Sequence, residues 1–236
     1  MLTLADRRLY LCVGARDDVA RLVRAALDGG VDVVQLRDKS TDRSRQLVAG
    51  RLLADLCRDA GVPFIVNDDP TLAADLEADG VHVGQDDVPV ERCRAVLGDQ
   101  AIVGLSTHAP AELARARGLD ATYLSAGPIV PTPTKPGRAG TGVAYAVEAT
   151  RTAGRPVFVT GGVGPHNVAD LVAAGMERFV VVRAVVEAAD PRRAAAAVRQ
   201  RLDEALAARS AVAVEPAEQG GDHPGVGPQL MPRTLD

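Results

Sequence analysis

The chain has 236 residues, with 27 Lys plus Arg, 31 Asp plus Glu and a formal net charge of −4. A hydrophobic fraction of 47% against 25% charged residues excludes a wholly disordered chain, and an acidic balance without a basic run excludes a surface built for nucleic-acid phosphates. Aromatic residues at 3% leave almost no stacking platforms for single strands, and no apolar stretch approaches the ~18 residues of a membrane span.

In chain order, strand 8–13 precedes helix 17–28, strand 33–37 precedes helix 42–60, and strand 63–67 precedes helix 70–77. Strand 80–84 with helix 90–97, strand 102–106 with helix 110–117, and strand 123–127 with helix 142–153 continue the alternation. Strand 156–160 with helix 165–174, and strand 178–183 with helix 190–208, complete it. The strands are near-continuous Val, Ile and Leu runs, the pattern of a sheet buried on both faces. Helix starts carry capping side chains or Pro (Asp42, Asp69-Pro70, Pro110, Gly164-Pro165, Asp190-Pro191), and Gly follows several helix ends (Gly29, Gly61, Gly118, Gly154, Gly175). Eight strands alternating with eight helices in about 210 residues predict a single (β/α)8 barrel over 1–209. A doubly wound open sheet is disfavoured because Cys12-Val13-Gly14-Ala15-Arg16, at the end of strand one, lacks the GxGxxG fingerprint. Residues 210–236 hold four Pro and four Gly in 27 positions and read as a disordered tail.

Cys12, Cys57 and Cys93 are widely spaced and form no CxxC, so each reads as a small core hydrophobe in a reducing cytosol. Residues 1–8 place charges ahead of any apolar run, which is not a signal-peptide pattern. A cytoplasmic protein is expected, without nucleic-acid or membrane partners and with a homo-oligomer allowed.

A parallel barrel carries its chemistry at the C-terminal ends of its strands. Those ends read Gln35-Leu36-Arg37-Asp38-Lys39, Asn67-Asp68-Asp69, His82-Val83-Gly84-Gln85-Asp86-Asp87 and Ser106-Thr107-His108, followed by a long loop from Gly127 that holds Lys135, then Gly161-Gly162-Val163-Gly164 and Val182-Arg183. Alternation puts Gln35, Arg37 and Lys39 on one side, toward the barrel mouth. Arg37, Lys39 and Lys135, with the neutral donors Asn67 and Ser106, suit a polyanion such as a diphosphate. Carboxylates at the ends of adjacent strands suit a hard cation such as Mg²⁺, and position alone leaves Asp68 or Asp69, and Asp86 or Asp87, as its ligands. The Gly-rich turn after strand seven and Arg183 at the end of strand eight suit a second phosphate. No nucleophile–His–acid order and no zinc spacing is present, and His82 and His108 read as wall or structural residues.

These motifs, with Thr132-Pro133-Thr134-Lys135, occur in order between about residues 8 and 208, and together they resemble the thiamine-phosphate synthase family. The resemblance implies a Mg²⁺-dependent transferase that joins a hydroxymethylpyrimidine diphosphate to a hydroxyethylthiazole phosphate. It implies that Gln35 through Lys39 and Asn67 hold the pyrimidine diphosphate, and that Asp68 and Asp87 bind Mg²⁺. Ser106 and Lys135 are implied at the diphosphate, with Lys135, Arg37 and Ser106 as the catalytic set. Thr132 and Thr134, with Gly162 and the backbone at Val182-Arg183, are implied at the thiazole phosphate. The family often has Ser where this chain has Arg183. Loop 129–141 is expected to act as a lid. A thiazole tautomerase-like barrel would not need Lys39, Asp68, Asp87 and Lys135 together, and a non-catalytic phosphometabolite-binding protein would leave the acid pair unexplained. Lys39 and Lys135 are the only two lysines among the 27 basic residues, and both fall in the implied diphosphate site.

Overall fold

The computed structural model describes residues 2–38, 42–132 and 139–214. Eight parallel strands, β1 Leu9–Val13, β2 Val33–Leu36, β3 Phe64–Asn67, β4 Gly80–Val83, β5 Ile102–Thr107, β6 Tyr123–Ala126, β7 Val157–Val159 and β8 Phe179–Val181, form a closed barrel in chain order. β8 pairs back onto β1, Leu9 against Phe179, so no strand edge is left open. The helices are α1 Val19–Asp28, α2 Arg43–Ala60, α3 Pro70–Asp75, α4 Val90–Leu97, α5 Pro110–Ala116, α6 Gly142–Thr152, α7 Val168–Ala173, α8 Arg183–Val186 and α9 Pro191–Val214.

The alternation of each strand divides the core in two. Leu9, Leu11, Val34, Leu36, Phe64, Val66, Val81, Val103 and Leu124 point outward and pack against the helices. Tyr10, Val33, Ile65, Ile102, Tyr123, Phe158 and Val180 fill the barrel itself, and Leu4, ahead of β1, joins them. Gly104 makes room inside: a Cβ there would lie 2.2 Å from Tyr123 Cζ and 2.4 Å from His82 Nδ1. Cys57 and Cys93 are buried and free, and burial pushes the Cys57 thiol up to about 12, so it behaves as a core hydrophobe.

The N-terminal end of the barrel is stitched by side chains just ahead of even-numbered strands. Asp32 accepts from Leu9 N at 2.8 Å, Asp79 from Phe64 N at 2.8 Å, and Thr122 Oγ1 from Val103 N at 3.0 Å. The two Asp bonds satisfy the first N–H of β1 and of β3, and the Thr122 bond satisfies the second N–H of β5. Arg199 of α9 adds a 2.7 Å ion pair to Asp32, and Arg209 pairs with Glu177, so the last helix is anchored at two points.

Three sequence expectations are corrected. The eighth strand stops at Val181, and Arg183 opens the short helix α8 instead of ending the strand. α7 starts at Val168, not at Pro165, because Asn167 holds the intervening turn: its Oδ1 accepts from Gly164 N at 3.0 Å, and its Nδ2 donates to Gly162 O at 3.1 Å. α9 runs to Val214, past residue 208 and into the segment read as tail. Positions 215–236, like Lys39, Thr134 and Lys135, lie outside the described residues.

Candidate active site

A cavity of about 400 Å³ opens at the C-terminal end of the barrel. Of the residues singled out from sequence, Gln35, Arg37, Thr132, Gly162, Val182 and Arg183 line it. β2 and β4 supply one end, through Gln35, Arg37 and His82. Gln35 is buried and inward-facing on β2, and Arg37 follows it, its N–H bonded to Val13 O at 2.7 Å.

Beside that end, the structure separates the acids that sequence position left open. Asp69 caps α3, accepting from Leu72 N at 2.8 Å, and pairs with Arg43 at 2.6 Å. Asp68 is turned the other way by a left-handed backbone, φ 64°, with its N–H bonded to His82 O at 2.8 Å. Its carboxyl shares a hydrogen bond with that of Asp87, which also accepts from Gly84 N at 2.7 Å. Burial, then the hydrogen bond and charge of Asp87, push the Asp68 carboxyl up to about 6, against the opposing pull of Arg37 and Asn67. Two carboxylates that resist joint ionisation are an all-oxygen donor pair short of positive charge. That chemistry fits a hard cation that keeps part of its coordination for water and substrate oxygen. Among the described residues no group of three His, Cys, Asp or Glu could hold a metal, so such an ion would draw its other ligands from substrate and water.

Ser106 is buried on β5, its Oγ within 2.9 Å of His82 Nε2 and 3.3 Å of Ser125 Oγ. Ser106, Asn67, Asp68 and Asp87 do not line the cavity, and Ser106 reaches it only through its bond to the lining residue His82. His108 turns away: its Nδ1 lies 2.9 Å from Glu112 Oε2, which also accepts its backbone N–H, so it serves the start of α5. Gln85 likewise donates to Ser106 O at 2.7 Å and braces β5.

The far end of the cavity is built by the loops after β6, β7 and β8. Gly161 and Gly162 have φ 98° and 72°, and a Cβ would lie 2.4 Å from Pro128 Cβ at the first and 2.5 Å from Val130 Cγ2 at the second. These contacts lock the β7 loop against the β6 loop. The first turn of α8, Arg183 and Ala184, borders the same space, where a helix has N–H groups without internal partners. The base of the loop expected as a lid is pinned, with Ile129 N bonded to Thr160 O and Thr141 N to Pro128 O, both at 2.8 Å. Its middle, 133–138, lies outside the described residues.

Sequence reading missed Tyr10, Cys12, Tyr123, Ser125, Thr160 and His166, all of which line the cavity. Cys12 lies in register with Gln35, Tyr10 with Val33, Tyr123 with Gly104 and Ser125 with Ser106, a pairing that only the folded sheet reveals.

A family model described as thiamine monophosphate synthase matches residues 9–185. The chain is 45% identical over 212 residues to the thiamine-phosphate synthase of Saccharopolyspora erythraea, covering 84% of this chain and 94% of that one. It is 46% identical over 201 residues to the thiamine-phosphate synthase of Thermus thermophilus, covering 83% and 97%. Among solved structures it resembles a thiamine phosphate pyrophosphorylase from Pyrococcus furiosus, with a TM-score of 0.77, 28% identity, and 84% and 96% of the two chains covered.

Proposed function

We infer the reaction from one premise: the chain belongs to the thiamine monophosphate synthase family. It is a transferase that condenses 4-amino-2-methyl-5-(diphosphooxymethyl)pyrimidine with 4-methyl-5-(2-phosphooxyethyl)thiazole, giving thiamine phosphate and diphosphate. The observation that supports this reading is a single cavity lined by candidate anion-binding groups from separate loops. Gln35 and Arg37 mark one end, beside the Asp68–Asp87 pair, and Gly162 with the start of α8 marks the other.

In this reading the bond between the pyrimidine methylene and the diphosphate oxygen breaks first, and its electron pair leaves with the diphosphate. The lone pair of the thiazole nitrogen then forms the new C–N bond to the methylene cation. That nitrogen carries no proton, so no general base is required, in keeping with a cavity whose described lining holds no nucleophile–His–acid chain. Arg37, Lys39 and Lys135 meet the charge that grows on the leaving group, and Asn67 and Ser106 donate hydrogen bonds to it. Asp68 and Asp87 would hold Mg²⁺, which when bound supplies further positive charge to the departing diphosphate. Thr132, Thr134, Gly162 and the backbone at Val182-Arg183 hold the thiazole phosphate. Loop 129–141 keeps water from the cation. We place the reaction in the cytosol, where the free Cys12, Cys57 and Cys93 remain reduced.

The test is to incubate the full chain with both substrates and Mg²⁺ and to measure thiamine phosphate and diphosphate together. Equal amounts of both are expected. Isomerisation of a thiazole phosphate without diphosphate release would assign the barrel to the tautomerase type, and binding without any product would make it a phosphometabolite carrier. Lys135→Ala is expected to lower turnover tens-fold or more; unchanged diphosphate release would remove it from the catalytic set.

A further inference from the structure

A buried line of hydrogen bonds runs along the cavity wall through β1, β2, β4, β5 and β6. Cys12 Sγ donates to Gln35 Oε1 at 3.2 Å, and Gln35 Nε2 donates to Tyr10 OH at 3.0 Å. Tyr10 OH lies 2.9 Å from Tyr123 OH, which lies 2.9 Å from His82 Nδ1. His82 Nε2 lies 2.9 Å from Ser106 Oγ, which also accepts from Ser125 Oγ at 3.3 Å.

Each phenol carries one proton and a neutral imidazole carries one, so such a line has only two consistent polarities. With the Gln35 amide N–H₂ leading, Tyr10 accepts and passes its own proton toward Tyr123. Tyr123 then donates to His82 Nδ1, and His82 carries its proton on Nε2, facing Ser106. With the amide reversed, every donor reverses: His82 would donate from Nδ1 to Tyr123, and Ser106 would give its proton to Nε2. The Gln35 amide stands in the first polarity, with Oε1 facing Cys12 Sγ and Nε2 facing Tyr10 OH. Burial raises both tyrosine pKa values, which keeps the phenols protonated and the count intact. Ser106 then accepts from His82 and from Ser125, and its own proton remains to be donated.

We propose that Gln35, Tyr10, Tyr123 and His82 form a polarity relay that leaves the Ser106 hydroxyl, buried behind the lining residue His82, as a donor to an anionic substrate that extends from the cavity toward the end of β5. The relay residues are positioning residues acting through Ser106, and the identity of the anion as a diphosphate rests on the function proposed above. The tautomer of His82 is the direct readout. In the ¹⁵N-histidine-labelled full chain, long-range ¹H–¹⁵N correlation should show His82 protonated on Nε2 and bare on Nδ1, with His82→Gln assigning the signal. The Nδ1–H form would overturn the proposal. Tyr10→Phe cuts the amide off from Tyr123 and should let the two His82 tautomers mix. It should also lower kcat about ten-fold or more while KM for the thiazole phosphate stays unchanged. A Tyr10→Phe chain that folds, keeps the pure Nε2–H form and keeps kcat would show that Gln35 does not set the polarity. The tautomer is read without substrates. A wild-type chain with the Nε2–H form but no thiamine phosphate would therefore refute the reaction and leave the relay standing.

Discussion

Asp68 and Asp69 are adjacent in sequence and opposite in role, because a left-handed residue sits at the strand end. Asp69 stabilises a helix terminus, while Asp68 meets Asp87 and is pushed up to about 6 from its ordinary 3.8. A carboxyl raised in the folded state favours the fold while protonated. That contribution is complete below 3.8 and is lost as pH rises through about 6. Above that pH the two charges repel, and a divalent cation relieves them. The rise in melting temperature on adding Mg²⁺ should therefore be largest above about pH 6 and fade on acidification through it. Asp87→Asn should move that midpoint toward the usual carboxylate range. A Mg²⁺ shift independent of pH would count against the pair as the metal site. Gly104 sets a steric limit of the same kind, since an added methyl meets Tyr123 and His82 well inside contact distance. Gly104→Ala is expected to cost about 1–3 kcal/mol in denaturant unfolding. Strand position alone left the acid pair as a choice among four residues, and only the family resemblance pointed to Asp68 and Asp87, because a φ of 64° at Asp68 leaves no composition signal.

At the scale of elements, the strands and most helix starts were legible because propensity and burial agree there. Asp42, Asp69 and Asp190 each accept the N–H three residues on, as a capping side chain should. The misses have physical causes. The Val run 180–182 carried the strand reading through Arg183, yet β8 stops at Val181 and Arg183 opens the helix α8. Residues 209–214, Arg-Ser-Ala-Val-Ala-Val, carry no apolar stripe of helical spacing, and the Arg209–Glu177 ion pair anchors that turn of α9. The inward positions of Tyr10 and Tyr123 were hidden because strands buried on both faces lose visible alternation, whereas His82, read as a wall or structural residue, does line the cavity. Two outcomes follow for α9. Deleting 215–236 should leave activity and melting temperature nearly unchanged, and a collapse in either would show that the tail docks. Leu202→Ala removes a fully buried side chain of α9 and should cost about 2–5 kcal/mol; calorimetry reads it directly.

The molecule as a whole separates stability from chemistry by face. The N-terminal end of the barrel carries Asp32, Asp79 and Thr122, each satisfying a strand N–H, while the C-terminal end carries the cavity. Asp79→Ala leaves Phe64 N without its acceptor and should destabilise the chain by about 1–3 kcal/mol. Steady-state kinetics of the same variant should keep both KM values, and a changed KM would show that the two faces are coupled.

The stitches join β1 to β2, β3 to β4 and β5 to β6. β7 and β8 are three residues each, in register only at Val159 and Phe179, and no such stitch joins them among the described residues. The ring is thus thinnest where the loops around Gly162 and Arg183 hang. A phosphate held between those loops would act as a clasp across the gap. Amide exchange in β7 and β8 should then slow on adding the thiazole phosphate, while exchange in β1 through β6 changes little.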